Sequence, residues 1–315
     1  MNELMEALRS SSVNNFPPTW KQTLDELGIA DLFGKALADR IEEVFLRNQI
    51  TTVVAQQEIK EIGDRLAAFE ESIDNLRSGF SRLGIGSEEL EPGTAELGVL
   101  IPRDFVENKL EEFAEELDEL HNIFSVFAEL AEGNRTGFQI RSISSSELSV
   151  FLGLSTKIAA CIAYAVQRII ALYKNLLDIR KLNSEYRKKD IPEENLKGIE
   201  DYSNGYMDNN IEQIIPTLLN DFYERADGAR KNELKIELRY SLRKIANRID
   251  QGFNLEVRVA PQKDEAEATA EETKYRDMIV NAAPTLQFFK REGNPILSLE
   301  EAKEEQPEKK TPKTK

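Results

Sequence analysis

The sequence predicts a mainly helical α+β fold: long antiparallel helices with a heptad pattern around a central apolar helix, and a small sheet of about three short strands. Three observations support this. Charged residues make up 31% of the chain, which has only 16 glycines and 11 prolines, a composition typical of long exposed helices rather than of a turn-rich β fold. Apolar residues recur at alternating steps of three and four over long stretches. Short apolar or alternating segments separate these stretches.

The strongest helical pattern lies in residues 50–83. Its apolar positions form an unbroken heptad stripe: Ile59, Ile62, Leu66, Phe69, Ile73, Leu76, Phe80 and Leu83. Gly84 and Gly86 then favour the end of the helix, because glycine tolerates left-handed backbone conformations. A heptad stripe fits packing inside one chain and also pairing of two copies, and both explanations stay open. For the second, we predict that self-association uses Ile59, Ile62, Leu66, Phe69, Ile73 and Leu76.

Four more helices are predicted, over residues 104–133, 155–187, 209–226 and 231–251. In the first of them a second heptad stripe runs through Val106, Leu110, Phe113, Leu117, Leu120, Phe124, Phe127 and Ala131. We expect Asp104 to cap its start and Gly133 to end it, and Gly252 to end the last helix. The helix over 155–187 has the widest apolar surface, which predicts that it lies at the centre of the fold.

Three short segments are predicted to form strands: residues 97–101, 138–143 and 253–259. The first is a buried apolar run that Pro102 ends. In the last, Phe253, Leu255, Val257 and Val259 alternate with other residues, as in a strand with one buried face.

The composition predicts three regions. Residues 1–49 are expected to form short helices around Trp20 and Leu32, divided at Gly28, and residues 50–261 the core of long helices. Residues 262–315 are rich in Lys, Glu, Thr and Pro, and we expect a flexible tail. The tail contains an apolar island over 278–299, which either folds back onto its own molecule or binds another one. For the second case, the predicted partner-binding residues are Leu286, Phe288, Phe289, Ile296 and Leu297.

The reactive side chains are few. Cys161 is the single cysteine, which excludes an internal disulfide and a thiolate zinc site and fits a reducing cytoplasm. His121 is the single histidine, so a site with two imidazoles is excluded. We expect His121 to pair with Asp118 or Glu119 on its helix rather than to act as a general base. No phosphate-binding glycine loop or nucleophile elbow occurs in the sequence. We therefore predict no catalytic residue, no cofactor and no metal site.

The charge argues against nucleic acid as a partner, because 41 basic and 57 acidic side chains give a net charge of −16. The helix over 231–251 has a partial basic stripe: Lys231, Lys235, Arg239, Arg243, Lys244 and Arg248. Salt bridges to the acidic neighbouring helices explain the stripe without a phosphate ligand.

One segment raises the possibility of membrane contact. Residues 149–166 are apolar, with Lys157 as the one charge, but the run is short for a spanning helix and Gly153 interrupts it. We favour a buried central helix, with insertion into a membrane as the alternative.

The leading hypothesis is a cytoplasmic interaction or scaffold protein. It self-associates through a heptad face and recruits a protein partner of unknown identity through its tail. A membrane-acting helical effector that uses residues 149–166 is the second hypothesis, and an enzyme with an unrecognised carboxylate site is the third.

Overall fold

A computed structural model describes residues 2–82, 90–91, 93–144, 148–189, 193–260 and 269–299. It confirms the predicted fold class: the protein is mainly helical (68%), with ten α-helices and a small four-stranded antiparallel sheet in the described residues. The heptad pairing and the antiparallel arrangement of the helices stay predictions. So does the division of the chain at residues 49 and 261.

In chain order the elements are α1 (Asn2–Arg9), α2 (Pro18–Glu26), α3 (Gly34–Arg47), α4 (Thr52–Arg82), β1 (Thr94–Leu100), α5 (Leu110–Glu132), β2 (Gln139–Ser144), β3 (Ser149–Ser155), α6 (Thr156–Lys174), α7 (Leu177–Lys188), α8 (Glu193–Phe222), α9 (Gly228–Gln251), β4 (Asn254–Val259) and α10 (Ala270–Ala282).

These elements belong to two compact units. Unit 1 takes in the described parts of Met1–Leu100, Phe138–Tyr164 and Asn254–Phe289, and unit 2 those of Ile101–Gly137, Ala165–Phe253 and Lys290–Lys315. Helices α1 to α4, the four strands and α10 therefore lie in unit 1, and α5 and α7 to α9 lie in unit 2. Helix α6 begins in unit 1 and continues in unit 2.

The sheet of unit 1 has the strand order β2–β3–β1–β4, and all neighbouring strands are antiparallel. The structure corrects the predicted number of strands, because β3 is a fourth one. Strand β3 pairs on both sides, with β1 and with β2, and all its residues are buried or half-buried. Its sequence is therefore a continuous apolar run without clear alternation, which periodicity does not distinguish from the start of a helix.

The N-terminal helices of unit 1 share an apolar cluster, which we call the N-terminal cluster: Met5, Ile29, Leu32, Leu37, Ala38, Ile41 and Ile62. Trp20 lies on α2 and Leu32 in a single 3-10 turn, and between them Gly28 adopts a φ of +67°, as the predicted division requires. Helices α1 and α3 are additional to the prediction. They contribute Met5 from α1 and Leu37, Ala38 and Ile41 from α3 to the cluster.

The structure also changes two predicted helices of unit 2. Helix α5 ends at Gly133, which has a φ of +80° as predicted, but it starts later than Asp104 because Glu107 and Asn108 have positive φ values of 47° and 53°. Helix α8 extends the predicted helix over 209–226 at its start. Helix α9 ends at the predicted Gly252, with a φ of +108°.

The helix predicted over 155–187 is two helices, α6 and α7. At the junction the N–H groups of Asn175 and Leu176 donate to the carbonyls of Leu172 and Tyr173, at 3.1 and 2.8 Å. These bonds span three residues instead of four, so the last turn tightens and the helix is interrupted. The apolar pattern continues across the junction, which is why the sequence predicts one helix.

Helix α10 lies within the region predicted to be a flexible tail and is additional to the predicted helices. A capping box starts this helix: the N–H of Glu272 donates to Oγ1 of Thr269 at 3.2 Å, and the N–H of Thr269 donates to Oε2 of Glu272 at 2.9 Å. Tyr275 and Ile279 are buried. The spacing of Thr269 and Glu272 is the signal in the sequence that predicts this start.

Candidate functional site

The N-terminal cluster covers α4 along its first half. Ile62 is buried in the cluster, and Ile59, Leu66 and Phe69 pack against it. The ring of Phe69 meets that of Phe33 edge to face, with centroids 5.8 Å apart. Four of the six residues predicted for self-association therefore contact their own chain.

The distal half of α4, residues 70–82, is exposed at every position. The heptad stripe continues through it: Ile73 is 41% exposed, Leu76 55% and Phe80 49%. Large apolar side chains at helical spacing normally face a covering element. The distal half of α4 therefore has the pattern of a packed helix, while its stripe is open in the described part of the chain.

Opposite charges lie beside this open stripe. With Ile73 at heptad position a and Leu76 at position d, Glu70 and Arg77 both occupy e positions. Both are exposed. In paired helices the e positions border the contact. The charges of these two residues can therefore favour one orientation of a second helix over the other.

A second exposed apolar surface, the apolar corner, lies where α3 is followed by α4: Phe45 (40% exposed), Leu46 (69%), Ile50 (95%), Val53 (77%) and Val54 (46%). Phe45 and Leu46 also line an open groove of about 1020 Å³ between α1 and α3. Clusters of exposed large apolar residues are typical of interaction sites.

The structure divides the five predicted partner-binding residues between the units. In unit 1, Leu286 is buried and Phe288 and Phe289 are half-buried; in unit 2, Ile296 and Leu297 are buried. A partner reaches the buried ones only after the chain detaches locally. Their role in partner binding stays a prediction.

Within unit 2, side chains of α8 and α9 bind the backbone of residues 293–299, which we call the tail segment. Asn247 makes a reciprocal pair with Leu299: its Nδ2 donates to the carbonyl and its Oδ1 accepts from the N–H, both at 3.1 Å. Oδ1 of Asn204 accepts the N–H of Ser298 at 2.9 Å. These side-chain hydrogen bonds take the place of the backbone hydrogen bonds that a neighbouring β-strand would supply.

Asp250 is the centre of this binding site and has no exposed surface. Its Oδ2 accepts the N–H groups of Ile296 and Leu297, both at 2.6 Å. Its Oδ1 accepts from Nη1 of Arg180 at 2.7 Å and from the hydroxyl of Tyr173 at 2.6 Å. Burial, and then the neighbouring Asp250 carboxylate, raises the pKa of Tyr173, so the hydroxyl keeps its proton. No pattern in the sequence singles out Asp250 or Arg180.

Cys161 and His121 have different surroundings. Cys161 is fully buried, and burial raises the pKa of its thiol well above the usual value, which disfavours the reactive thiolate. His121 is exposed on α5, with Nε2 3.4 Å from Oγ of Ser125. No group of three or more His, Cys, Asp or Glu residues in the described ranges is placed to hold a metal ion.

Carboxylates of α5 and α8 pair with the basic stripe of α9. The pairs are Arg239 with Glu212, Arg243 with Asp208 at 2.7 Å, Lys244 with Glu119 at 2.8 Å and Arg248 with Glu116 at 2.6 Å. The hydrogen bond from Arg239 lowers the pKa of Glu212. These four basic side chains thus have the carboxylate partners that the salt-bridge hypothesis predicts.

The apolar segment 149–166 consists of β3 and the start of α6. By length and composition α6 could cross a membrane: its mean hydropathy reaches 1.2, and 67% of that stretch is buried inside the protein. Core helices of soluble proteins pass the same test, so α6 carries no argument for a membrane.

Comparisons of this protein with protein-family models, curated proteins and solved structures find no match. A function has to be inferred from the surfaces themselves: the distal half of α4, the apolar corner and the site around the tail segment.

Proposed function

We propose that the protein is an interaction protein that associates with a second copy of itself through the distal half of α4. The observation that carries the proposal is the open stripe of Ile73, Leu76 and Phe80 on a segment that is exposed at every position. A helical segment of this length has little stability of its own in water, because most helices depend on the packing of an apolar face. A second helix along the stripe supplies that packing.

The covered half of α4 favours an antiparallel pair. Because the N-terminal cluster occupies the same face along the first half, a second helix has room only against the distal half. In a parallel pair, the first half of each helix would run into the cluster of the other copy. In an antiparallel pair the two distal halves overlap, and the first half of each helix lies beyond the end of the other.

The charges beside the stripe support the same orientation. When Ile73 lies opposite Leu76 of the second copy, the e positions of the two helices border the contact. Glu70 then lies beside Arg77 of the second copy, and two-fold symmetry repeats the pair. Opposite charges at such positions favour this orientation over alternatives.

The contact is small, so the pair should be reversible. Each copy contributes three apolar side chains that are already about half covered. Full burial of one such side chain contributes about 1.5–3 kcal/mol. Part of the total offsets the cost of association, which is about 4–15 kcal/mol. We therefore expect a dissociation constant of about 0.1–1 mM.

The apolar corner supports membership of the broader class of interaction proteins. Ile50 is 95% exposed and Val53 77%. Monomeric proteins rarely expose several such side chains close together. The recruitment of a protein partner through the tail remains part of the proposal, with the half-buried Phe288 and Phe289 as its most accessible residues.

Sedimentation of the full chain over a range of concentrations tests the proposal. We expect a reversible monomer–dimer equilibrium. The Leu76→Asp variant should be monomeric, because the contact would bury an unpaired carboxylate. The matched control is Ile236→Asp, an equivalent change at a similarly exposed aliphatic residue of α9 (49% exposed) outside the stripe and the apolar corner, and here the dimer should persist.

Charge reversal tests the orientation. Glu70→Lys should raise the dissociation constant about two- to five-fold per lost pair. Adding Arg77→Glu to that change should restore the affinity, because the pairs re-form with reversed sign. A full chain that stays monomeric throughout the expected range, or a dimer that tolerates Leu76→Asp, contradicts the proposal.

A further inference from the structure

The tail segment is bound mainly through its backbone. The four successive N–H groups of Ile296, Leu297, Ser298 and Leu299 all donate to side chains of α8 or α9. At the other end, the carbonyl of Gly293 accepts from the guanidinium of Arg180 on α7, at 3.1 Å from Nε and 2.6 Å from Nη2. Contacts of this kind recognise the backbone and do not depend on the side chains of the bound segment.

Four positions of the segment have a defined fit. Ile296, Leu297 and Leu299 are buried, each with at most 5% of its surface exposed, while the residues between Gly293 and Ile296 are exposed. Gly293 has a φ of +91°, and a Cβ there would lie 2.7 Å from Cβ of Ser184. A side chain at this position is therefore excluded. The site accepts glycine, two variable residues, two aliphatic residues, a variable residue and a third aliphatic residue.

The receptor side is held in place without the segment. Oδ1 of Asp250 is bound by Arg180 and Tyr173, and Nη1 of Arg180 also donates to the backbone carbonyl of Asp250 at 2.6 Å. Removal of the segment therefore frees Oδ2 and leaves the ion pair intact. This division is typical of a preorganised binding site, in which the ligand meets groups that are already oriented.

Helix α7 has unused hydrogen-bonding capacity near this pair. Asn183 lies one helical turn after Arg180 and is fully buried. Neither Oδ1 nor Nδ2 of Asn183 has a hydrogen-bond partner within the described part of the chain. A buried amide of this kind is costly unless a polar group reaches it. The tail segment makes no hydrogen bond to the side-chain amide of Asn183.

We propose that α7, α8 and α9 form a receptor site for a peptide with this glycine and aliphatic pattern, and that the tail segment is its exchangeable occupant. The ligand is the same segment of a second copy of the chain, because residues 293–299 are the sequence that fits this site. The inference is independent of self-association through α4, because it uses other residues in unit 2.

The attached segment competes with any ligand supplied from outside. A tethered occupant acts at an effective concentration in the millimolar range, so the intact chain should bind an added peptide weakly. A change in the occupant alone should open the site. Gly293→Ala is such a change, because the residue belongs to the occupant and its added Cβ collides with α7.

The test measures binding of a labelled synthetic peptide with the sequence of residues 290–299. We expect the full chain with Gly293→Ala to bind it at least about tenfold more tightly than the unchanged chain does. A peptide with alanine in place of its glycine should lose that affinity. Adding Asn247→Ala to the Gly293→Ala chain should also weaken binding, because the reciprocal pair with the peptide backbone is lost.

Absence of binding to a folded Gly293→Ala chain overturns the proposal. Hydrogen exchange of the unchanged chain is a second measurement that does not depend on any variant. The amides of Ile296 and Leu297 should exchange at least about tenfold faster than the core amides of α9, because they open with the segment alone. Equal protection would show that the segment is a fixed part of the core and would also overturn the proposal.

Mixing two variants identifies the source of the ligand. The Gly293→Ala chain offers an open site, and a chain with Asn204→Ala and Asn247→Ala offers a loosened segment. If the mixture forms a mixed complex in the presence of Leu76→Asp in both chains, the ligand is the segment of a second copy. If the peptide binds but the chains do not combine, the segment does not exchange between copies and the proposal is overturned.

Discussion

Asp250 and Arg180 form the ion pair whose loss should cost the most stability. Their side chains are 0% and 7% exposed. Asp250→Asn leaves a buried guanidinium without a counter-charge, which costs about 3–5 kcal/mol. The matched control is Asp208→Asn, since Asp208 pairs with Arg243 at 2.7 Å but is 35% exposed, and here we expect a loss of about 0–1 kcal/mol. Denaturant unfolding of both variants measures the difference, and equal losses would contradict it.

Glu129 should couple stability to acid pH. Hydrogen bonds from Arg230, and then from Arg135, lower the pKa of Glu129 from 4.5 to about 2. The unfolded chain therefore takes up the proton first as the pH falls. The stabilisation by this carboxylate is complete above a pH of about 4.5 and is lost as the pH falls towards 2.

The variant Glu129→Gln measures this contribution. We expect it to lower the free energy of unfolding by about 1–2 kcal/mol at neutral pH, because two guanidinium groups lose their shared acceptor. The difference from the unchanged chain should shrink as the pH falls below 4.5. Glu115→Gln, at an exposed position of the same helix, is the control. A difference that stays constant with pH rules out this role for Glu129.

At the scale of elements, the sequence predicts best where a pattern extends over many turns. The predicted helix over 50–83 is α4, Thr52–Arg82, because eight apolar positions in register fix both the helix and its covered face. Strand β3 and the break between α6 and α7 were not predictable in this way. In both places the apolar run continues, and what changes is the backbone hydrogen bonding, which leaves no trace in the order of apolar residues.

The candidate surfaces were predictable only in part. The stripe on α4 was visible, but a heptad does not say which of its turns the rest of the chain covers, so Ile59 and Ile73 look alike in the sequence. The site around the tail segment was not visible. Asp250 lies four residues after Ala246 in a helix of mixed composition, and its burial depends on groups from α7 and from residues 293–299. Long-range contacts of this kind cannot be read from local spacing.

At the scale of the whole molecule, the charge opposes the proposed self-association. Two copies with a net charge of −16 repel each other at long range. Helix α4 itself holds 6 acidic and 4 basic side chains, so most of this repulsion comes from charges away from the proposed contact. The apolar stripe and the Glu70–Arg77 pairs act only at contact distance. Salt therefore weakens the repulsion more than it weakens the attraction.

This balance predicts how association depends on ionic strength. The screening length is about 30 Å at 0.01 M salt and about 8 Å at 0.15 M, so charges away from the contact stop repelling each other over that range. We expect the dissociation constant of the dimer to fall about two- to fivefold between these concentrations and then to level off. Sedimentation of the full chain at constant pH measures it. Binding through a basic patch to phosphate groups has the opposite dependence, since it weakens steeply with salt. A dimer that dissociates as salt is added would therefore show that ion pairs, and not the stripe of Ile73, Leu76 and Phe80, hold the two copies together.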